Sequence, residues 1–190
     1  AGHTTETLRR KMHAAYPETE TDGLPEAKVF EAYLENRYGL KADFLECEST
    51  NCGNNITFLL RLLEEKHIAY SSIILAQDAT MQRRMEAGLR KYAPDAQIIN
   101  YAVYAARVAA SPDGLVFEKE IRDMWDMDRY ITLLMGEIPR LCDNEDGYGP
   151  KGKSFIAHVD IPDNVMEAFG RLKKEYGGMI REANPQFASS

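Results

Sequence analysis

Short apolar runs that stop on polar side chains and pass straight into amphipathic helices limit what this chain can fold into. Ser72-Ile73-Ile74-Leu75-Ala76 is a near-continuous apolar run of the kind buried on both faces of a parallel sheet. Gln77-Asp78-Ala79-Thr80 follows at once, then a helical pattern with Met81, Met85, Leu89 and Tyr92 on one face. The same order holds upstream. A short strand is predicted from Asp43, then the turn Glu48-Ser49-Thr50-Asn51-Cys52-Gly53-Asn54-Asn55, then a helix with Ile56, Leu59, Leu60 and Leu63 on one stripe. Ala96–Tyr101 predicts a third strand. Strands alternating with helices at this pace predict βαβ crossovers, hence an α/β fold with a mostly parallel sheet and helices on both faces. In such a sheet the carboxyl ends of the strands feed the first turns of helices, where unpaired N–H groups and the helix dipole seat a polar or anionic ligand.

The remaining segments fill in around these units. Gly2-His3-Thr4-Thr5 leads into a helical pattern with Leu8 and Met12, and His3 and the threonines are candidates to line a ligand pocket. Pro25 suits a first helical position, and Glu26 then favours the dipole of a helix running through Val29, Phe30, Tyr33, Leu34 and Tyr38 to a stop at Gly39. Arg83 and Arg84 lie about 100° apart on their helix, so at most one faces a pocket. Ser111-Pro112-Asp113-Gly114 marks a turn. Glu118–Leu141 reads as one long amphipathic helix, broken around Gly136 and Pro139, that covers the sheet. A last strand is predicted over Ser154–Asp160, with His158 inside it as a hydrogen-bonded structural histidine. Pro162 then precedes a helix carrying Val165, Met166, Phe169 and Leu172.

Gly147-Tyr148-Gly149-Pro150-Lys151-Gly152 matches a dinucleotide-binding glycine pattern. No strand precedes it, no helix follows, and Pro150 deletes a donor that a phosphate needs, so that reading is rejected. Asp143, Glu145 and Asp146 fail as a calcium loop, because Tyr148 stands where glycine belongs and Ser154 where glutamate belongs. The loop is left as a glycine-rich flap or a plain surface loop, and no metal is expected.

Composition narrows the function classes. The chain has 190 residues, 44% of them hydrophobic, enough for one domain with a core, and is read as a single domain over 1–183 with a disordered tail over 184–190. A net charge of −7 and the lack of a Lys/Arg patch argue against a nucleic-acid partner. Cys47, Cys52 and Cys142 form neither a disulfide framework nor a zinc knuckle, which fits a reducing, cytoplasmic setting. No apolar run is long enough to span a membrane.

Three separated motifs carry a resemblance: Ser49-Thr50-Asn51-Cys52-Gly53-x-Asn55; Gln77-Asp78-x-Thr80-Met81-Gln82-Arg83-Arg84; and Asp146-Gly147-Tyr148-Gly149-Pro150-x-Gly152 followed by His158-Val159-Asp160. Together they resemble the YdcF-like proteins of the SanA/ElyC-like domain family, a family of unknown function, from Gly2 to about Tyr176. The resemblance implies a Rossmann-like three-layer sandwich with a polar cleft at the strand ends. It also implies a nucleotide-like ligand, S-adenosylmethionine among the candidates, and a link to the bacterial cell envelope. It places the family's glutamate on Glu26, its Ser-Thr-Asn turn on Ser49, Thr50 and Asn51, its helix asparagine on Asn55 and its arginine on Arg84. Met81 stands where relatives often carry histidine, which removes a candidate base or metal ligand. The family's opening strand and glycine turn are missing before His3. That predicts a truncated or processed chain, or a strand supplied by a second copy.

On this reading Glu26, Ser49, Asn51, Asn55, Asp78 and Arg84 converge, with His3, Thr4, Thr50 and Gln77 beside them and the N–H groups of Cys52 and Gly53 offered to an anion. A group-transfer enzyme would use Glu26 as base or ribose-hydroxyl acceptor and Arg84 as a clamp on an anionic group. Cys52 at a helix start is a weaker, nucleophilic alternative. The competing reading is a ligand-binding or regulatory module that turns nothing over.

Overall fold

The computed structural model describes residues 2 and 4–180. His3 and the tail over 184–190 lie outside them. The chain is mixed α/β, and its contacts divide it into two compact units, residues 1–69 and Tyr70–Ala183.

Among the described residues the first unit holds three helices: α1 (Glu6–Ala15), α2 (Glu26–Tyr38) and α3 (Cys52–Glu65). Each boundary follows from its residues. Thr5 caps α1 by accepting the Leu8 N–H at 3.2 Å. Gly39 takes the left-handed conformation (φ 64°), and its N–H closes the last turn of α2 on the Leu34 and Glu35 carbonyls. Val29 on α2 and Ile56 on α3 are buried. The strand expected from Asp43 is not formed: the segment before α3 enters no ladder among the described residues. Gly2 runs beside it, donating its N–H to the Ser49 carbonyl at 2.7 Å.

In the second unit β1 (Ser72–Gln77), α4 (Gln82–Tyr92) and β2 (Gln97–Ala102) make a βαβ unit with parallel strands, Ser72 opposite Gln97 and Gln77 opposite Ala102. On β1, Ile73, Leu75 and Gln77 are half-buried while Ile74 stays exposed, an alternation of period two. β3 (Val108–Ser111) and β4 (Gly114–Phe117) form a separate antiparallel hairpin around Pro112-Asp113. The Gly114 φ of +120° suits only glycine at the turn exit. Among the described residues there are thus two two-stranded sheets, not one extended parallel sheet. Helix α5 (Met127–Leu141) is shorter than expected at its start and unbroken at its end. Asp123 has a positive φ (57°) and Asp126 caps α5 through the Arg129 N–H at 2.7 Å, so 118–126 is not helical, while α5 runs through Gly136 and Pro139. Ser154–Asp160 forms no strand: Ser154 has a positive φ (52°), and the N–H groups go elsewhere, Phe155 and Ile156 donating to the Tyr148 carbonyl and Ala157 to that of Ala87. Helix α6 (Asp163–Tyr176) follows. Ala87, Leu141, Ile156 and Val159 form a buried cluster with Tyr148 and Ile161 packed against it.

Candidate functional site

Strand β1 delivers Gln77 and Asp78 to its carboxyl end, where the backbone leaves the sheet. The Asp78 N–H donates to Gln77 Oε1 at 2.8 Å. Asp78 Oδ1 accepts three hydrogen bonds, from the Thr80 N–H (2.9 Å), the Thr80 hydroxyl (2.7 Å) and the Tyr104 hydroxyl (2.8 Å). Oδ2 accepts the indole Nε1–H of Trp125 at 3.0 Å. Gln82, on the first turn of α4, ties the two strands' ends together by donating to the Leu75 carbonyl (3.0 Å) and Asn100 Oδ1 (2.7 Å).

This arrangement fixes the protonation states. Burial pushes the Asp78 carboxyl up, but the donors on Trp125, Thr80 and Tyr104 outweigh it, and the group sits below its usual range. Burial and then the Asp78 carboxylate push the Tyr104 phenol up, and burial with the same charge raises Tyr130. The end of β1 therefore carries a fixed anion ringed by neutral donors and aromatic side chains.

Arg84, the expected clamp, is paired inside the protein. Its Nε donates to Glu137 Oε2 at 2.5 Å and its Nη2 to Oε1 at 3.0 Å, a bidentate pair between α4 and α5. Arg140 joins through Nη1 to Glu137 Oε1 (3.4 Å) and to the Gly136 carbonyl (2.5 Å). Only 13% of the Arg84 side chain and 6% of that of Glu137 are exposed.

The other candidates belong to the first unit. Asn51 is the N-cap of α3: its Oδ1 accepts the Asn54 N–H at 2.8 Å and its Nδ2 donates to Asn54 Oδ1 at 2.7 Å. Cys52 and Gly53 form the first turn with Asn55 behind them, and the exposed Thr50 hydroxyl contacts Asn54 Oδ1 at 3.4 Å. Ser49 is buried, with its hydroxyl donating to Glu46, whose Oε1 also accepts the Glu48 and Ser49 N–H groups. Thr4 is buried too and donates to the Leu24 carbonyl at 2.8 Å. Glu26 opens α2, where its charge favours the dipole. Asn51→Ala removes a cap and is expected to cost about 1 kcal/mol, read as a lower urea midpoint for loss of helical circular dichroism. An unchanged midpoint would contradict it.

His158 lies between two carboxylates. Nδ1 meets Asp143 Oδ2 at 2.7 Å and Nε2 meets Asp160 Oδ1 at 3.0 Å. With an acceptor at each nitrogen, the imidazolium, a donor at both, is the form that fits. Asp143, then Asp160, accordingly hold the His158 pKa above its ordinary 6.5. The Lys151 N–H, which donates to Asp143 Oδ1, and then His158 hold Asp143 below its ordinary 3.8. A raised histidine pKa stabilises fully below 6.5 and loses its effect as pH rises through the folded value. A depressed aspartate pKa stabilises above 3.8 and loses its effect as pH falls through the folded value. The clasp is therefore complete between 3.8 and 6.5. His158→Gln should flatten the dependence of the unfolding midpoint on pH above 6.5, and an unchanged slope would contradict the clasp. A cavity of about 110 Å³ beside it is lined by Arg83, Glu86, Ala87, Arg90, His158, Val159 and Asp160. Both arginines there pair with Glu86.

Sequence reasoning missed Trp125, Tyr104 and Glu137. Trp125 falls inside the helix predicted over Glu118–Leu141, whereas α5 begins only at Met127; the available signal is Asp126, an N-cap residue type just after it. Among the described residues no group of three or more His, Cys, Asp or Glu side chains is arranged to hold a metal ion, and no helix is long and apolar enough to cross a membrane. The three cysteines are free thiols. No family model matches the chain.

Proposed function

We propose that this chain binds a nucleotide-like small molecule at the carboxyl ends of its parallel strands, on a Rossmann-like framework, with S-adenosylmethionine the first ligand to test. The observation that carries the proposal is the Asp78 carboxylate at the end of β1. It is held anionic, and its Oδ2 takes only the Trp125 N–H among the described residues. A carboxylate oxygen accepts more than one donor, so Oδ2 keeps capacity for a ligand hydroxyl or amino group such as a ribose or an amino-acid moiety presents. Ligands of open α/β sheets sit at this edge. The resemblance to the YdcF-like proteins supports the same class, and the bacterial cell envelope is the setting it suggests.

The group-transfer reading gives Arg84 the role of anion clamp. The bidentate pairing of Arg84 with Glu137 favours the second reading, a module that holds its ligand without consuming it. Calorimetric titration with S-adenosylmethionine and ATP, followed by mass spectrometry of the ligand, decides. Binding by the wild type that weakens about tenfold or more in Asp78→Asn is expected, since a hydrogen bond to a charged group contributes about 1.5–3 kcal/mol. Absence of binding to either ligand would overturn the proposal. A ligand recovered unchanged identifies the module; a ligand consumed identifies the enzyme.

A further inference from the structure

We infer that Trp125 is the stacking platform for a purine-type ring, with Arg129 beside it as the cation for an anionic group on the same ligand, an inference that rests on the binding proposal above. Trp125 is the only tryptophan in the chain. It is 43% exposed, whereas a tryptophan ring is usually mostly withdrawn from water. Its exposure is not that of a loose side chain. The indole N–H is tied to Asp78 Oδ2 at 3.0 Å, and the backbone after it is set by the Asp126 cap on the Arg129 N–H at 2.7 Å. A flat π surface is thus held still at the carboxyl end of β1, so the entropy of ordering it is spent before a ligand arrives.

The Arg129 guanidinium carbon lies 5.9 Å from the centroid of that ring. At this distance it is within cation–π reach, and as an exposed side chain it remains accessible to an anion. The hairpin side is also fixed, with Tyr130 edge-on to Phe117 at 5.2 Å. A ring stacked on Trp125, a hydroxyl or amine on Asp78 and an anionic group on Arg129 describe a purine nucleoside carrying a phosphate or carboxylate. A sugar phosphate without a base lacks the first of these contacts.

The probes are adenosine monophosphate, S-adenosylmethionine and ribose 5-phosphate, titrated into the full chain by calorimetry while the fluorescence of the single tryptophan is followed. The two purine compounds should quench the emission saturably, and ribose 5-phosphate should bind at least about tenfold more weakly, because stacking on an aromatic side chain contributes about 1–3 kcal/mol per base. By calorimetry Trp125→Leu should lose about tenfold or more in affinity for adenosine monophosphate, while Trp125→Phe, which keeps a ring, retains most of it. Arg129→Gln should weaken adenosine monophosphate and leave adenosine unchanged. Should the wild type bind the purine compounds while Trp125→Leu binds them equally well, the platform is wrong and the binding proposal stands. If ribose 5-phosphate binds as tightly as adenosine monophosphate, the platform again fails alone. Binding of none of the three by the wild type overturns both.

Discussion

Replacing Glu137 by alanine is expected to lower the stability of the Tyr70–Ala183 unit by about 3–5 kcal/mol, the range typical of removing one partner from a buried ion pair. Glu137 is 4% exposed and stands between two guanidinium groups that are themselves nearly buried, with 13% of the Arg84 and 11% of the Arg140 side chain reaching solvent. Without the carboxylate, two like charges remain close together, and neither can shed its proton. Glu137→Gln, of the same shape, should cost less than alanine but still more than about 1 kcal/mol, because the amide carries no charge and its NH2 group would face the Arg84 Nε–H, donor against donor. The triple change Arg84→Leu, Glu137→Leu and Arg140→Leu should recover much of the loss, since replacing every member of a buried ionic cluster by apolar groups is often close to neutral. Urea unfolding of the three variants checks this. A loss below about 1 kcal/mol in Glu137→Ala would mean that the pair is solvated, and would reopen Arg84 as a group available to a ligand.

The second large effect is steric. A Cβ added at Gly147 would stand 1.8 Å from the Cys142 carbonyl oxygen, and one at Gly152 2.1 Å from that of Asn144 and 2.4 Å from that of Gly147. These are backbone neighbours in a loop closed on itself: Tyr148 N–H donates to the Arg140 carbonyl at 3.0 Å, and Lys153 N–H to that of Gly147 at 2.9 Å. The alanine cannot be accommodated by a rotamer change. Gly147→Ala and Gly152→Ala should each cost at least about 3 kcal/mol, at or beyond the upper range of overpacking. Gly170, inside α6 with no atom within 4 Å of its would-be Cβ, is the control, and Gly170→Ala should gain about 0.5–1 kcal/mol. Equal small effects at all three positions would show that the loop is open. The spacing that resembled a phosphate-binding pattern thus serves the loop's own folding: the glycines let backbone pass backbone.

Where periodicity carried the signal, the elements could be read from the chain. The apolar run Ser72–Ala76 is β1, Gln97–Tyr101 falls in β2, and Gly39 ends α2 in the left-handed conformation. The failures occur where the deciding partner is distant or absent from the local pattern. The segments near Cys47 and Ile156 have strand-like residues, but a strand is defined by its ladder, and local sequence does not report where N–H groups will go. Ile121, Met124 and Trp125 are spaced like a helix face, yet Asp123 has a positive φ and Asp126 starts the helix afresh. Val108-Ala109-Ala110 is too short and too weakly patterned to announce β3 beyond its turn.

The site divides in the same way. Gln77 and Asp78 were legible because a polar pair at the end of an apolar run marks a strand's carboxyl end. Tyr104, Trp125 and Glu137 were not, because they meet Asp78 and Arg84 across 26, 47 and 53 residues of chain. Those distant groups decide what the local ones do. Trp125 and Tyr104 set the charge and orientation of Asp78, and Glu137 takes up the guanidinium that the family resemblance offered to a ligand.

The indole N–H of Trp125 tests the central claim most directly. With a single tryptophan in the chain, a nitrogen–proton correlation spectrum contains one indole cross-peak, and it reports the bond to Asp78 Oδ2. Titration with S-adenosylmethionine or adenosine monophosphate should move that peak saturably, with the midpoint found by calorimetry. A peak that stays in place while calorimetry records binding would put the ligand elsewhere and contradict the assignment of the carboxyl end of β1 as its site.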